Sequence, residues 1–120
     1  MSDLMTIKKI IENNDLAVAT VDKQNKPNVV FVCCAKVISK NQIILTDNYM
    51  KKTKENILIN KNISIAVSDT KLEKGYQLKG TVEYHSTGKW LKFVKDLKEN
   101  KGFPAKGALV ITIKEVIELA

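Results

Sequence analysis

Apolar and polar positions along this chain change period several times, and each change marks an element. Leu4, Ile7, Ile10 and Ile11 recur at helical spacing, so residues 2–14 predict a short helix that Ser2 or Asp3 can cap. Asn13, Asn14 and Asp15 end it. The run LAVATV (16–21) is rich in β-formers and predicts a strand. A polar turn (22–26) and Pro27 follow, then a long β-rich run over 28–39, so the two runs form a hairpin. A turn at Lys40 and Asn41 leads to a third strand over 42–46. Residues 51–59 predict a short helix, with Ile57 and Leu58 able to face a core. Further strands are predicted over 63–68, 75–85 and 108–119, with Gly80 as the site of a bulge or bend. Between the last two, Trp90, Phe93, Val94 and Leu97 form an apolar stripe on a helix over 86–100, capped by Ser86.

Six strands with short helices, and no repeating βαβ rhythm, predict a mainly β protein: an antiparallel sheet closed into a small barrel. At 120 residues the chain forms a single domain spanning 1–120. A hydrophobic fraction of 44% and a charged fraction of 28% are those of a folded domain and exclude disorder. No apolar run approaches the roughly 20 residues of a membrane span. The start of the chain lacks the basic-then-apolar pattern of a signal peptide, so the expected compartment is the cytoplasm.

The net charge is +7, and every basic residue is lysine. Without arginine there is no planar fork for reading guanine edges or clamping carboxylates, so sequence-specific DNA recognition is excluded. Non-specific polyanion binding stays open as one alternative, a cofactor-free basic module for nucleic acid. The two cysteines, Cys33 and Cys34, are adjacent and form neither a disulfide framework nor a CxxC motif. On a continuous strand their thiols point to opposite faces, and the plain expectation is two small buried hydrophobes. His85 is the only histidine, which excludes multi-histidine metal sites. No phosphate loop, dinucleotide fingerprint, nucleophile elbow or paired carboxylates are present, so any chemistry here is carried by a cofactor. No catalytic residue is assigned.

One segment departs from ordinary patterning. The helix after the third strand opens with Lys51, Lys52 and Lys54, although a helix start carries partial positive charge. Such placement costs on the order of a few tenths of a kcal/mol per charge. It makes sense where an external anion docks. Lys52 then supplies charge, Thr53 its hydroxyl and N–H, and the free backbone N–H groups complete a phosphate site. A solvated lysine cluster is the alternative.

The order of these features resembles the pyridoxamine 5′-phosphate oxidase-like family of FMN-binding split barrels, and above all its short FMN-binding proteins. The resemblance rests on LAVATVDKQNKPNVVFV, IILTDNYMKKTKENI with NKNISIAV, GYQLKGTVEYH and ALVITIKEVIEL, nearly the whole chain. It implies a six-stranded split β-barrel and a homodimer with FMN at the subunit interface. It also implies phosphate binding by Lys52 and Thr53 with Lys51 nearby. Phe31, Val32 and Cys33 would lie along the isoalloxazine ring, and Thr46, Asp47, Asn48, Tyr49 and Met50 beside the ring and ribityl chain. Gln77 and Lys79 would face the cofactor from the other side. The implied role is a flavin-dependent oxidoreductase or electron carrier. The absence of arginine argues against oxidation of pyridoxamine phosphate itself, since the family's true oxidases hold the substrate phosphate with arginine and histidine. Short relatives carry an aromatic residue before the last strand where Pro104 stands here, with Phe103 adjoining. The same barrel holding haem or a deazaflavin is the second alternative, haem requiring His85 as axial ligand.

Overall fold

A computed structural model describes residues 3–119. Seven antiparallel strands form one sheet: β1 (Leu16–Val21), β2 (Pro27–Val32), β3 (Lys36–Ser39), β4 (Gln42–Asp47), β5 (Asn62–Asp69), β6 (Lys74–His85) and β7 (Gly107–Leu119). Their spatial order is β2-β1-β5-β6-β7-β4-β3. The barrel therefore has seven strands rather than the expected six.

The additional strand arises because the run over 28–39 is not continuous. It breaks at residues 33–35, where Cys34 takes a left-handed φ of 68°. β2 and β3, though consecutive, lie at opposite edges of the sheet. Laid flat, seven strands would separate those edges by six spacings of about 4.8 Å, roughly 29 Å. The three residues that join them reach about 14 Å at most. The sheet must curl until its edges meet, and it closes without ladder hydrogen bonds between β2 and β3. That unpaired seam is the split of a split barrel.

Alternation fills the barrel. Leu16, Val18, Ile43, Leu45, Ile65, Leu78, Leu109 and Ile111 point inward and are fully or almost fully buried. A 3-10 turn (Leu4–Ile7) and α1 (Lys8–Asn13) add Leu4, Ile7, Ile10 and Ile11 to this core, as their spacing predicts. The Asp3 carboxylate caps the turn by accepting from the Met5 N–H at 2.8 Å; Ser2, the other expected cap, lies outside the described residues. β4 and the first half of β7 are buried on both faces, because α3 (Gly88–Lys95) covers Ile44, Ala108 and Val110 from outside with Trp90 and Val94, joined by Leu97 just beyond the helix. This helix is shorter than expected. It starts at Gly88 after Thr87 rather than at a Ser86 cap, and a 3-10 turn (Lys98–Asn100) replaces its last turns.

The β1–β2 turn is held by the Asp22 carboxylate, which accepts from the N–H groups of Gln24 and Lys26 at 2.8 and 2.9 Å. Gly80 sits at a register shift between β6 and β7, as expected of a bulge. A Cβ there would lie 2.0 Å from the Thr112 carbonyl oxygen. Among the described residues no helix is long and apolar enough to cross a membrane.

Candidate functional site

The seam has a cleft of about 380 Å³ at its mouth. β2 supplies one wall, β4 and the connector after it the other, and α2 (Lys52–Ile59) the end. The cleft opens beside the break at residues 33–35, where the chain leaves β2 and the outer edge of β2 has no ladder partner.

Burial of the connector's polar groups fixes its shape. Asp47 is fully buried. Its carboxylate accepts from the Tyr84 hydroxyl at 2.6 Å and from the Met50 N–H at 2.7 Å. Lys106 donates from Nζ to the Met50 carbonyl at 2.6 Å and lies 3.9 Å from the carboxylate. Burial, then the hydrogen bond to Asp47 and its charge, push the Tyr84 phenol well above its usual range. Asn48 and Asn100 exchange two amide hydrogen bonds of 2.8 and 3.0 Å, and the Ala105 N–H donates to the same Asn48 oxygen at 2.9 Å. These bonds staple the connector from two sides and leave Tyr49 projecting outward.

α2 begins after Lys51 with no side-chain cap, so its first N–H groups face the cleft end without an internal partner. Lys51 and Lys52 are exposed there, and Thr53 is almost fully buried. Thr53 Oγ1 accepts from the Asn28 amide at 3.3 Å. Deeper in the helix, Asn56 donates to Thr20 Oγ1 at 3.0 Å, a bond between two buried side chains that pins α2 to β1. Lys54 turns away and lies over the Tyr84 ring, 5.0 Å from its centroid. No carboxylate borders the cleft, so its charge is positive at the helix end. Val30, Val32, Met50 and Leu97 give the remainder an apolar lining.

Ten of the thirteen residues singled out in the sequence border this one cleft: Phe31, Val32, Cys33, Thr46, Asn48, Tyr49, Met50, Lys51, Lys52 and Thr53. Asp47 stands behind it as the buried anchor of the connector. Gln77 and Lys79 do not reach it from the same chain. Gln77 donates to Ser64 Oγ at 3.1 Å, and Lys79 borders a separate cleft of about 410 Å³ with Gly80 and Lys114. Phe103 packs edge-to-face on Tyr49 at 6.4 Å, so an aromatic from the loop before the last strand does stand at the cleft rim despite Pro104. Sequence reasoning missed Asn28, Val30, Cys34, Leu97 and Asn100. The first two follow from the alternation of β2 once Val32 is placed. Leu97 and Asn100 arrive from 50 residues away and leave no local signal.

His85 does not border the cleft. Its Nε2 is sheltered without a hydrogen-bond partner, 3.6 Å from Glu83. The cysteines are neither fully buried nor on opposite faces: Cys33 is exposed, Cys34 is half-buried, and their sulfurs are in contact.

A family model described as pyridoxamine 5′-phosphate oxidase matches residues 5–120. An uncharacterised protein of Methanocaldococcus jannaschii is 35% identical over 115 residues, covering 92% of this chain and 76% of that one. The crystal structure of HupZ from Group A Streptococcus superposes with a TM-score of 0.88 at 26% identity, over 96% of this chain and 92% of that one. An FMN-binding protein from Syntrophomonas wolfei gives 0.80 at 20% identity, over 98% and 86%. The fold recurs in an F420 reductase, at 0.72 and 16% over 92% and 94%, and in the haem storage protein HutZ of Vibrio cholerae, at 0.70 and 18% over 98% and 94%.

Proposed function

The chain belongs to the pyridoxamine 5′-phosphate oxidase family, and from that premise we propose that it binds FMN in the seam cleft and acts as a homodimeric flavin-dependent oxidoreductase or electron carrier in the cytoplasm. The observation that carries the reading is the polarity of the cleft: an uncapped, lysine-bearing helix start at one end, an apolar lining over the rest, and no carboxylate at its edge. An aromatic ring system with a phosphate tail has the same two-part character, and a volume of several hundred Å³ is typical of small-molecule sites.

Lys51 and Lys52 would neutralise the phosphate, and the Thr53 N–H and hydroxyl would donate to it together with the helix start. The stapled connector, Thr46 to Met50, would hold the polar chain, and Phe31, Val32, Cys33 and Met50 would bed the ring. When bound, the isoalloxazine supplies hydride or single-electron transfer. The protein's part is to hold, orient and shield it.

A second copy of the chain is supported by an exposed apolar rim. Val29, Phe31, Tyr49 and Phe103 are large apolar side chains left 52–79% exposed around the cleft. Gln77 and Lys79, if they face the cofactor, have to come from a partner. Haem would require His85, whose Nε2 is sheltered and which does not border the cleft, so flavin is favoured; a deazaflavin would use the same phosphate end.

The test is titration of the purified chain with FMN, followed by flavin fluorescence and the visible spectrum. FMN should bind, and Lys52→Ala should weaken binding roughly 10–100-fold, the worth of one charged hydrogen bond of about 1.5–3 kcal/mol. Riboflavin, which has no phosphate, should bind wild type and variant alike. Failure of the chain to take up FMN refutes the proposal, and a haem or deazaflavin spectrum replaces it.

A further inference from the structure

Neighbouring side chains of a strand point to opposite faces. At Cys33 and Cys34 this alternation fails, because Cys34 occupies the left-handed region at φ 68°. That conformation is costly for a residue with a Cβ, and such outliers gather at functional positions. Its effect here is specific. It swings both sulfurs to the same side, within contact of each other. Both residues border the cleft, and Cys33 is open to solvent. A pair of cysteines serving only as small hydrophobes would be buried.

We propose that Cys33 and Cys34 form a redox site of their own, an adjacent dithiol that a small-molecule disulfide of the glutathione class closes to an intrachain disulfide and that a dithiol reductant reopens. Both thiols line the cleft in which the proposed function seats a ring, so the pair reacts while the cleft is free and a bound ligand covers Cys33. The exposed Cys33 thiolate attacks one sulfur of the small disulfide; a bond forms between them, the small disulfide's S–S bond breaks, and one small thiolate leaves. Cys34 then gives its proton to solvent, and its sulfur attacks the Cys33 sulfur. The mixed disulfide breaks, and the second small thiolate leaves and is protonated. Two electrons pass from the protein pair to the small molecule, which ends as two thiols.

The order of attack follows from the site. Burial first, and then the neighbouring Cys33, push the Cys34 thiol up to about 11, so it serves as the resolving group rather than the first nucleophile. Reversal is favoured by chain geometry alone. Adjacent α-carbons stand about 3.8 Å apart across a trans peptide, whereas disulfides prefer about 4.4–6.8 Å. A strained, accessible disulfide is of the labile, regulatory kind.

The experiment incubates the reduced full chain with oxidised glutathione, then counts free thiols after unfolding and measures the intact mass. Wild type should lose both thiols, lighten by two hydrogens, retain no glutathione, and recover both thiols with dithiothreitol. Cys34→Ser should retain one glutathione per chain, and Cys33→Ser should react at least about tenfold more slowly. A wild-type chain that keeps both thiols, holds glutathione, or links to a second chain overturns the proposal. Equal rates for the two variants overturn the assignment of Cys33 as the point of entry.

Discussion

Replacing Tyr84 by Phe removes one oxygen from the most buried polar contact of the connector. The Asp47 carboxylate is fully buried, and the Tyr84 hydroxyl at 2.6 Å is the partner of its Oδ2. The other oxygen keeps the Met50 N–H at 2.7 Å, and Lys106 at 3.9 Å is too far to replace the hydroxyl without moving. A hydrogen bond to a charged group is worth about 1.5–3 kcal/mol, and with half of the carboxylate still satisfied we expect a loss of about 2 kcal/mol. For a chain of this length that lowers the melting temperature by roughly 6–10 °C. Stability should also respond to pH with a definite sign. The unfolded phenol ionises near pH 10, whereas the native phenol is held protonated well above that. Beyond about pH 10 the native wild type therefore binds more protons than its unfolded chain, and its stability falls as pH rises. The Phe variant lacks this group. The stability gap between the two should be full below about pH 10 and shrink above it. Urea denaturation of both proteins from pH 7 to 11 measures the gap. A loss under about 0.5 kcal/mol at pH 7, or a gap that stays constant across the range, refutes the coupling of Tyr84 to Asp47.

Gly80→Ala should cost on the order of 3 kcal/mol, because the new Cβ would lie 2.0 Å from the Thr112 backbone oxygen and the strands would have to part; thermal melting checks this, and an unchanged melting temperature contradicts it. Asn100→Ala leaves the Asn48 amide without its reciprocal partner and should cost about 1–2 kcal/mol. It should also weaken FMN binding several-fold, since the connector loosens. Lys52→Ala should separate the two effects, weakening FMN binding with little change in stability, because Lys52 is exposed.

Much of the fold was legible because its strands obey local rules. β1 was recovered to the residue, and β4 to β7 within one residue at either end, since alternation and β-propensity act over a few positions. The buried positions of the first helix followed from their spacing for the same reason. The run over 28–39 misled because Val29, Val30, Phe31, Val32, Val37 and Ile38 on both sides of the break favour β structure, while its break is imposed by the need to leave one edge of the sheet and join the other. The helix over 86–100 was overread likewise: its apolar stripe is real, but Leu97 and Asn100 are recruited by the outer core and by Asn48.

The same division holds for the site. Lysines at the start of α2 stand out in the sequence, because charge against a helix dipole is a local anomaly visible wherever the chain folds. By itself the sequence determined five of the seven strands (β1 and β4 to β7), the core faces and a family. Only the tertiary structure decided that the sheet curls, that the cleft lies at its unpaired seam, that Asp47 is a buried anchor, and that two adjacent thiols share one side. Each of these depends on closure of the sheet. Closure brings together edges that no short-range pattern relates, and it settles which polar groups are cut off from water and must find partners within the protein.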